Sequence, residues 1–478
     1  MSVTHINIKN INILEYKQNF IVSKEDKLKY GEIYTPFSLI DQMFNLFDPI
    51  VFTQKDKKWL DPGAGTGYFS IYLFDKLNKG LLVEIPDEEE RKSHIIENMI
   101  YIIEIKESNI IILREIFGEK ANIFHMDFLS IIPLVTIPLV TIPIVVGIIE
   151  NISFDFIIGN PPYNSNGIKK VPTNKKKNKK HDDGKTIWIS FIKKSISLLK
   201  ENGQLCVIVP SIWLKPDKAR TYHYLTSYKI EKLHCLSNTE TNKIFKGEAQ
   251  TPTCFFLLTK RETDNYIHLF DNNQNKYINY YCKLDYPIPL FGQAVIQKLQ
   301  PFIEKAGQLL VIKTNLPSVT SLFSENSSNT FPYPNVKTCI LNGLHPELSI
   351  NYSNIAQAYQ GKKKLILAHK MYGFPYYDSL GIYGISNRDN YVILRESEEE
   401  CFKIKQFLST KLVLYIYEST RYRMKYLEKY AFQFIPDIIK LPDFPEDIND
   451  ESVCEYFGLD ENDIKHINTL HKKKYLSF

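Results

Sequence analysis

The sequence lacks most of what would mark a secreted, metal-built or membrane protein. It has seven cysteines (Cys206, Cys235, Cys254, Cys282, Cys339, Cys401 and Cys454), and no two share a Cys-x-x-Cys spacing. An odd count without a framework excludes a disulfide scaffold and points to free thiols in a reducing compartment. The same scatter supports no metal site, and none is expected. Charge of either sign is not in large excess: 59 Lys and Arg against 54 Asp and Glu leave a net charge of +5. That permits a nucleic-acid partner without demanding one. Met1 to Asn19 is polar and has no apolar core of a signal peptide, so a cytoplasmic location is expected. One run, Ile131 to Ile149, is apolar and long enough to raise a membrane span. It carries Pro133, Pro138 and Pro143 in a tandem Ile-Pro-Leu-Val-Thr repeat. Prolines at that interval break helical hydrogen bonding, and lipid offers no substitute partners. An extended, partly buried insertion is expected there.

What the sequence does have is ordinary globular composition, 44% hydrophobic and 24% charged over 478 residues, enough for two or three domains. Its most informative stretch is Asn160-Pro161-Pro162-Tyr163. The run before it, Phe154 to Gly159, reads as a short buried strand. Two prolines forbid helix and remove two backbone donors, and Asn160 is biased toward an extended conformation because a proline follows it. The product is a stiff turn at a strand's carboxyl end. It presents an amide side chain, carbonyls without competing N–H groups and an aromatic ring. That set suits a flat group bearing an exocyclic amine. Taken alone, the four residues fit a plain proline turn equally well.

Three further signals precede it. Tyr34-Thr35-Pro36 leads into Phe37 to Phe47, where apolar residues at Phe37, Ile40, Met43, Phe44 and Phe47 mark one helix face. Thr35 reads as the N-cap, and an anionic group is the natural guest at such a helix start. Next, Trp59 and Leu60 open a strand that runs into Asp61-Pro62-Gly63-Ala64-Gly65-Thr66-Gly67-Tyr68-Phe69, followed by a helix. Strand, glycine loop and helix form the nucleotide-binding entry of a doubly wound fold. No Gly-Lys-Ser/Thr follows, so this is not a P-loop. Asp61 suits a cationic ligand better than a phosphate. Third, Pro86 to Asn98 reads as a charged helix. After it, Met99 to Ile105 and Asn122 to Leu129 read as strands ending near Glu104 and Asp127. A carboxylate at the end of the second strand is where a ribose diol is gripped in this architecture. Asp127 is placed to accept from an adenine amine, with Phe128 beside the ring.

After the turn comes a lysine-dense loop over 169–180, including Lys169, Lys170, Lys175, Lys176 and Lys177. It reads either as a solubilising loop or as a phosphate-neutralising one whose affinity falls with salt. A helix over Trp188 to Lys200 and strands over Gln204 to Pro210, Ile230 to Leu236 and Thr253 to Thr259 follow. The expected fold is α/β: a doubly wound, mostly parallel sheet of Rossmann-like type with helices on both faces. From about Asn272 the alternation stops. Aromatics and bases interleave, as in Arg421-Tyr422-Arg423. The expected division is a catalytic domain over 1–284, carrying the insertion at 131–149 and the loop at 169–180, and a mixed α+β domain over 285–478.

The order of Tyr34-Thr35-Pro36, Asp61-Pro62-Gly63-Ala64-Gly65-Thr66-Gly67, Glu104, Asp127-Phe128 and Asn160-Pro161-Pro162-Tyr163 resembles the gamma-type DNA adenine-N6 methyltransferases of restriction–modification systems. The resemblance covers motifs in roughly the first half of the chain. It implies S-adenosylmethionine as methyl donor and double-stranded DNA as substrate, with the adenine flipped from the duplex. It implies that Tyr34, Thr35 and Pro36, with Asp61, Pro62, Gly63, Ala64, Gly65, Gly67 and Phe69, bind the cofactor, Asp61, Gly63 and Gly65 at its methionine end. Thr35 would meet the methionine carboxylate, Glu104 the ribose hydroxyls, and Asp127 and Phe128 the cofactor adenine. Asn160 and Pro161 would accept the target amine's protons, with Pro162 stiffening the turn. Tyr163 would stack on the flipped base and Phe245 would face its other side. The second domain would recognise the target. A monomer is expected, with a cognate restriction endonuclease as a candidate partner. Two features depart from the family pattern: the proline repeat, and the long spacing from the glycine loop to Glu104. Competing readings are a protein-glutamine or RNA methyltransferase using the same Asn-Pro-Pro-Tyr clamp, a catalytically inactive DNA-binding specificity protein, and a bifunctional restriction enzyme.

Overall fold

The computed structural model describes residues 33–130, 152–165, 185–247, 249, 251–342, 345–369, 375–423 and 427–469. The proline repeat at 131–149 and the lysine loop at 169–180 lie outside the described residues. The chain divides into two compact units. The first comprises residues up to Trp213 with Asp217–Phe270 and Tyr277–Cys282; the second comprises Leu214–Pro216, Asp271–Lys276 and Lys283–Phe478.

The first unit is built on a nine-stranded sheet. Its elements, in chain order, are α1 (Phe37–Phe44), β1 (Trp59–Asp61), α2 (Tyr68–Gly80), α3 (Glu88–His94), β2 (Ile100–Glu104), α4 (Glu107–Phe117), β3 (Asn122–His125) and β4 (Phe154–Gly159). Then come α5 (Trp188–Leu198), β5 (Leu199–Pro210), α6 (Thr221–Thr226), β6 (Tyr228–Leu236), α7 (Asn238–Ile244), β7 (Thr253–Glu262), β8 (Tyr266–Asp271) and β9 (Lys276–Tyr281). The strand order is β9-β8-β6-β7-β5-β4-β1-β2-β3. The pairs β3/β2, β2/β1, β1/β4, β4/β5 and β6/β8 are parallel; β7 runs antiparallel to both β5 and β6. This is the doubly wound, mostly parallel sheet expected from the sequence. Every residue of β1, β2 and β4 is buried, as strands covered on both faces require. That is why they read as largely apolar runs; Asp155 within β4 is buried but paired with Lys57 and Lys200.

The strand order reverses between β1 and β4. Such a switch point opens a crevice at the carboxyl ends of the strands. Both the glycine loop after β1 and the Asn160 turn after β4 emerge there. Trp59 and Phe156, on those two strands, stack 4.1 Å apart at 23° and hold the pair in register beneath the crevice. Helix α2 starts at Gly67, whose φ of 91° is left-handed. A Cβ at that position would come within 2.8 Å of Leu113 Cδ2 on α4, so glycine also allows the helix to sit close to its neighbour.

Several local expectations are corrected. Helix α1 is capped at Pro36, without a side-chain cap, and ends at Phe44. Thr35 is therefore one residue too early to be the N-cap, and its hydroxyl is used elsewhere. The charged helix is shorter than expected and passes into a π-helical turn over Ile95–Met99. Strand β5 begins at Leu199 and accommodates a register shift opposite Phe154–Phe156. The sheet also continues past Asn272: β9 is its outermost strand, although its alternation of exposed and partly buried residues is weak.

The second unit contains two four-stranded sheets. One orders Ile312–Lys313, Asn390–Leu394, Lys364–Ala368 and Tyr376–Asp378; the other orders Phe323–Ser324, His345–Ser353, Tyr333–Asn342 and Gly384–Ile385. Helices over Gln293–Ala306, Glu398–Leu408 and Lys411–Ser419 pack with the first sheet around Leu299, Ile393, Phe407 and Ile416. Among the described residues, all seven cysteines are free and buried, and no helix is long and apolar enough to cross a membrane.

Candidate active site

The crevice of the first unit holds a cavity of about 400 Å3. It is lined by Asn160, Pro161, Pro162 and Tyr163 from the turn after β4, by Pro62 to Gly65 from the loop after β1, and by Glu104 at the end of β2. Asp127 and Phe128 after β3, Tyr34 and Thr35 before α1, Phe69 on α2 and Phe245 after α7 also line it. Residues far apart in sequence thus meet at one end of the sheet. Three expected residues do not line the cavity. Pro36 caps α1, Gly67 starts α2, and Asp61 lies beneath the loop.

Asp61 is 2% exposed and accepts a hydrogen bond from the Ser70 hydroxyl at 2.8 Å. Burial pushes its pKa up to about 7, with nearby Glu104 adding to the rise; the bond from Ser70 and the Gly63 amide only partly offset it. Burial thus favours the neutral carboxyl of Asp61 more than its sequence position suggested. It anchors the glycine loop to α2 from below.

Glu104 performs a related task from the side. Its Oε2 accepts from the Gly65 amide at 2.7 Å; its Oε1 accepts from the Ile105 and Lys106 amides at 3.0 and 2.8 Å. One carboxylate thus ties the glycine loop to the end of β2. Gly63 has ordinary room around it: an added Cβ would lie 3.6 Å from Phe191 and 3.9 Å from Pro162, both cavity residues. The protein's own packing does not demand glycine there.

Asn160 is held from one side only. Its Nδ2 donates to the Thr35 hydroxyl at 3.1 Å and lies 3.3 Å from the Ile33 carbonyl. A carbonyl can only accept, so this fixes which end of the amide faces Ile33. The other end, Oδ1, is buried and has no hydrogen-bond partner among the described residues. The Tyr163 hydroxyl is likewise buried without a partner, and burial pushes its pKa up. The Tyr163 carbonyl accepts from the Ile187 amide at 3.2 Å, which ties the turn to the segment entering α5. Phe245 is 4% exposed and follows an α7 whose start is fixed by a Ser237–Glu240 capping box. Phe128 is nearly fully buried and packs on Phe191, with ring centroids 5.1 Å apart. Asp127 is exposed, and its Oδ1 accepts from the Leu129 amide at 2.9 Å.

Residues 68–245 match the Eco57I restriction-modification methylase family. The match bears out the restriction–modification methylase resemblance carried by the motifs. Within curated proteins, a 124-residue stretch is 32% identical to the type II restriction enzyme and methyltransferase RM.Eco57I of Escherichia coli, covering 25% of this chain and 12% of that protein. A 103-residue stretch is 32% identical to an uncharacterized adenine-specific methylase of Mycoplasma pneumoniae, covering 21% of this chain and 24% of that one. The chain therefore spans a quarter or less of the length of these relatives. Among solved structures, the type IIL restriction-modification enzyme MmeI, in complex with DNA, superposes with a TM-score of 0.47 at 12% identity, covering 96% of this chain and 78% of that one.

The cavity also contains residues that the sequence did not single out, among them Ile33, Lys106, Met126, Ile187 and Phe191. Phe191 lies at helical spacing on the apolar face of α5 and reads as core. Ile33 contributes a backbone carbonyl, which no side-chain pattern announces.

Proposed function

We propose that the protein transfers a methyl group from S-adenosylmethionine to the N6 amine of an adenine flipped out of double-stranded DNA, as the modification activity of a restriction–modification system. The observation that carries this reading is Asn160 on the cavity wall, with its Oδ1 buried and without a partner among the described residues.

The residues present fit the cofactor. The cavity, about 400 Å3, is within the ordinary range for a ligand of that size. Glu104 lines the cavity where a ribose diol would lie, Gly63 and Gly65 leave the backbone open to close approach, and Phe128 and Asp127 flank the far end. When bound, S-adenosylmethionine supplies an electrophilic methyl group on a sulfonium.

The chain's own residues would prepare the nucleophile. An adenine amine is a weak one because its lone pair is delocalised into the ring. Asn160 Oδ1 and the Pro161 carbonyl would accept hydrogen bonds from its two N–H groups and draw the nitrogen toward a tetrahedral shape. The lone pair then points at the methyl group. Pro161 and Pro162 cannot donate from their nitrogens, so no backbone N–H of theirs competes for these acceptors. Tyr163 and Phe245 would take the two faces of the base, which compensates for its lost stacking in the duplex. Acceleration comes from positioning and fixed dipoles.

The second unit, roughly Lys283 onward, is proposed to read the target. Lys169, Lys170, Lys175, Lys176 and Lys177 are proposed to neutralise DNA phosphates. Removing those charges should flatten the salt dependence of DNA binding; an unchanged slope would reject that role. The main test is a transfer assay with radiolabelled cofactor on double-stranded DNA, followed by nucleoside analysis. N6-methyladenine is expected, and label in cytosine or in protein would reject the substrate.

A further inference from the structure

The Thr35 hydroxyl and the Ile33 carbonyl form a rest for the Asn160 amide. Thr35 is 3% exposed, lies just before α1, and is not the cap of that helix. Its Oγ1 takes a hydrogen from Asn160 Nδ2 at 3.1 Å, and the Ile33 carbonyl lies 3.3 Å from the same nitrogen. The nitrogen bears two hydrogens and faces two acceptors, so its donor capacity is used within the protein. Rotating the amide by half a turn would set Oδ1 against the Ile33 carbonyl oxygen, two acceptors with no proton between them. That orientation is excluded, so Oδ1 is the end turned away from Thr35 and Ile33.

We infer that Thr35 is a positioning residue for Asn160: its hydroxyl, with the Ile33 carbonyl, fixes the amide so that Oδ1 alone faces the substrate. This rests on the proposed role of Asn160 and deepens it. The logic is that of a clamp. A side-chain amide has a donor end and an acceptor end of nearly equal size. With the donor end presented, it would oppose the amine's own protons and make the nitrogen less reactive. A terminal amide torsion is soft, so the choice of end has to be imposed by partners. The segment carrying Tyr34-Thr35-Pro36 supplies them from 125 residues away in sequence. It thereby serves the reacting amine as well as any ligand near the start of α1.

The test compares Thr35→Val, which keeps the shape and removes the acceptor, with Thr35→Ser, which restores it. The full-length protein is used throughout. Thr35→Val is expected to lower kcat by about 10- to 100-fold at saturating cofactor and DNA. The S-adenosylmethionine Kd is measured in parallel by calorimetry, because the family resemblance also brings Thr35 to the methionine carboxylate; at saturating cofactor a weaker Kd does not by itself lower kcat. Thr35→Ser should recover most of kcat. A raised Kd with an unchanged kcat would make Thr35 a cofactor contact and overturn the inference. A second readout is independent of the substrate. In protein labelled with 15N at asparagine, the Asn160 side-chain amide signal is assigned by its loss in Asn160→Asp. Its two proton shifts should be well dispersed in wild type and Thr35→Ser, and should draw together in Thr35→Val. Unchanged shifts would overturn the inference even if the DNA substrate proved wrong. Failure of wild type to methylate adenine would reject the proposed function alone.

Discussion

Asn160 in the first unit and the Lys364–Asp378 pair in the second both take polar groups out of water, and the fold treats them in opposite ways. Lys364 is fully buried, and its Nζ donates to the Tyr359 carbonyl at 3.0 Å, the Lys362 carbonyl at 3.0 Å and Asp378 Oδ2 at 2.6 Å. Asp378 is 2% exposed and also accepts from the Ile382 and Tyr383 amides at 2.9 and 3.0 Å. Each of the ammonium's three protons has an acceptor, and both carboxylate oxygens have donors. Asn160 keeps its nitrogen satisfied and leaves its oxygen buried and unpartnered. An unmade bond of that kind costs about 1–3 kcal/mol. A complete network pins a set of turns. The incomplete one belongs to a residue that lines the cavity, and under the proposed function the substrate amine would supply the missing donor.

Substitutions can break this contrast, because the first group should answer in activity and the second in stability. Asn160→Ala has the largest expected effect, a loss of at least about 1,000-fold in methyl transfer, roughly 4 kcal/mol. Urea unfolding should move by less than about 1 kcal/mol, since an unsatisfied acceptor leaves together with the bonds of the nitrogen. A large fall in stability with activity retained would make Asn160 a structural residue and collapse the comparison.

Asp61 lies between the two cases, buried and near the site but outside the cavity lining. Its pKa is raised to about 7, so the folded state binds its proton more tightly than the unfolded chain does. This contribution to stability is complete below the unfolded value, near pH 4, and is lost as pH rises through about 7. The loss is on the order of 4 kcal/mol. Chemical unfolding at pH 5 and pH 8 should show wild type weaker at the higher pH, and Asp61→Asn should remove most of that difference. Equal pH dependence in the two proteins would place the titration elsewhere.

Lys364→Met should cost about 3 kcal/mol, because it leaves the Asp378 carboxylate buried without its cation. The loss should be seen as faster amide hydrogen exchange along Lys364–Ala368. Transfer chemistry at saturating DNA should be largely spared. Loss of the chemical step with normal exchange would assign this pair a catalytic part. Gly67→Ala is the smallest, about 1–2 kcal/mol, from an L-residue held at a φ of 91° and a Cβ pressed on Leu113. A thermal midpoint lowered by a few degrees would fit; an unchanged one would mean that Leu113 gives way and the backbone relaxes.

The fold of the first unit was largely legible because strands covered on both faces must be continuously apolar. Trp59–Asp61, Ile100–Glu104 and Phe154–Gly159 have that character, and each ends in a polar residue or a turn. The outer strands were harder. Strand β9 has only one fully buried residue, Tyr280, so its pattern does not separate it from a loop. The second unit consists of short strands paired across long sequence distances, such as Ile312–Lys313 with Tyr391–Val392. Two-residue strands leave no periodicity to read.

The sequence by itself determined the chemical inventory of the site. A proline pair fixes the turn's backbone, glycines open the loop, and a carboxylate ends β2, because these properties belong to residues and their immediate neighbours. Tertiary structure decided which atoms of that inventory are free. Thr35 reads locally as a helix cap, yet its hydroxyl goes to Asn160, 125 residues away. Asp61 reads as a ligand-facing anion, yet it is buried against Ser70 with its pKa raised. Hydrogen-bond capacity is shared among whatever groups the fold brings together, so the orientation of Asn160 is settled only where α1, β1 and β4 meet.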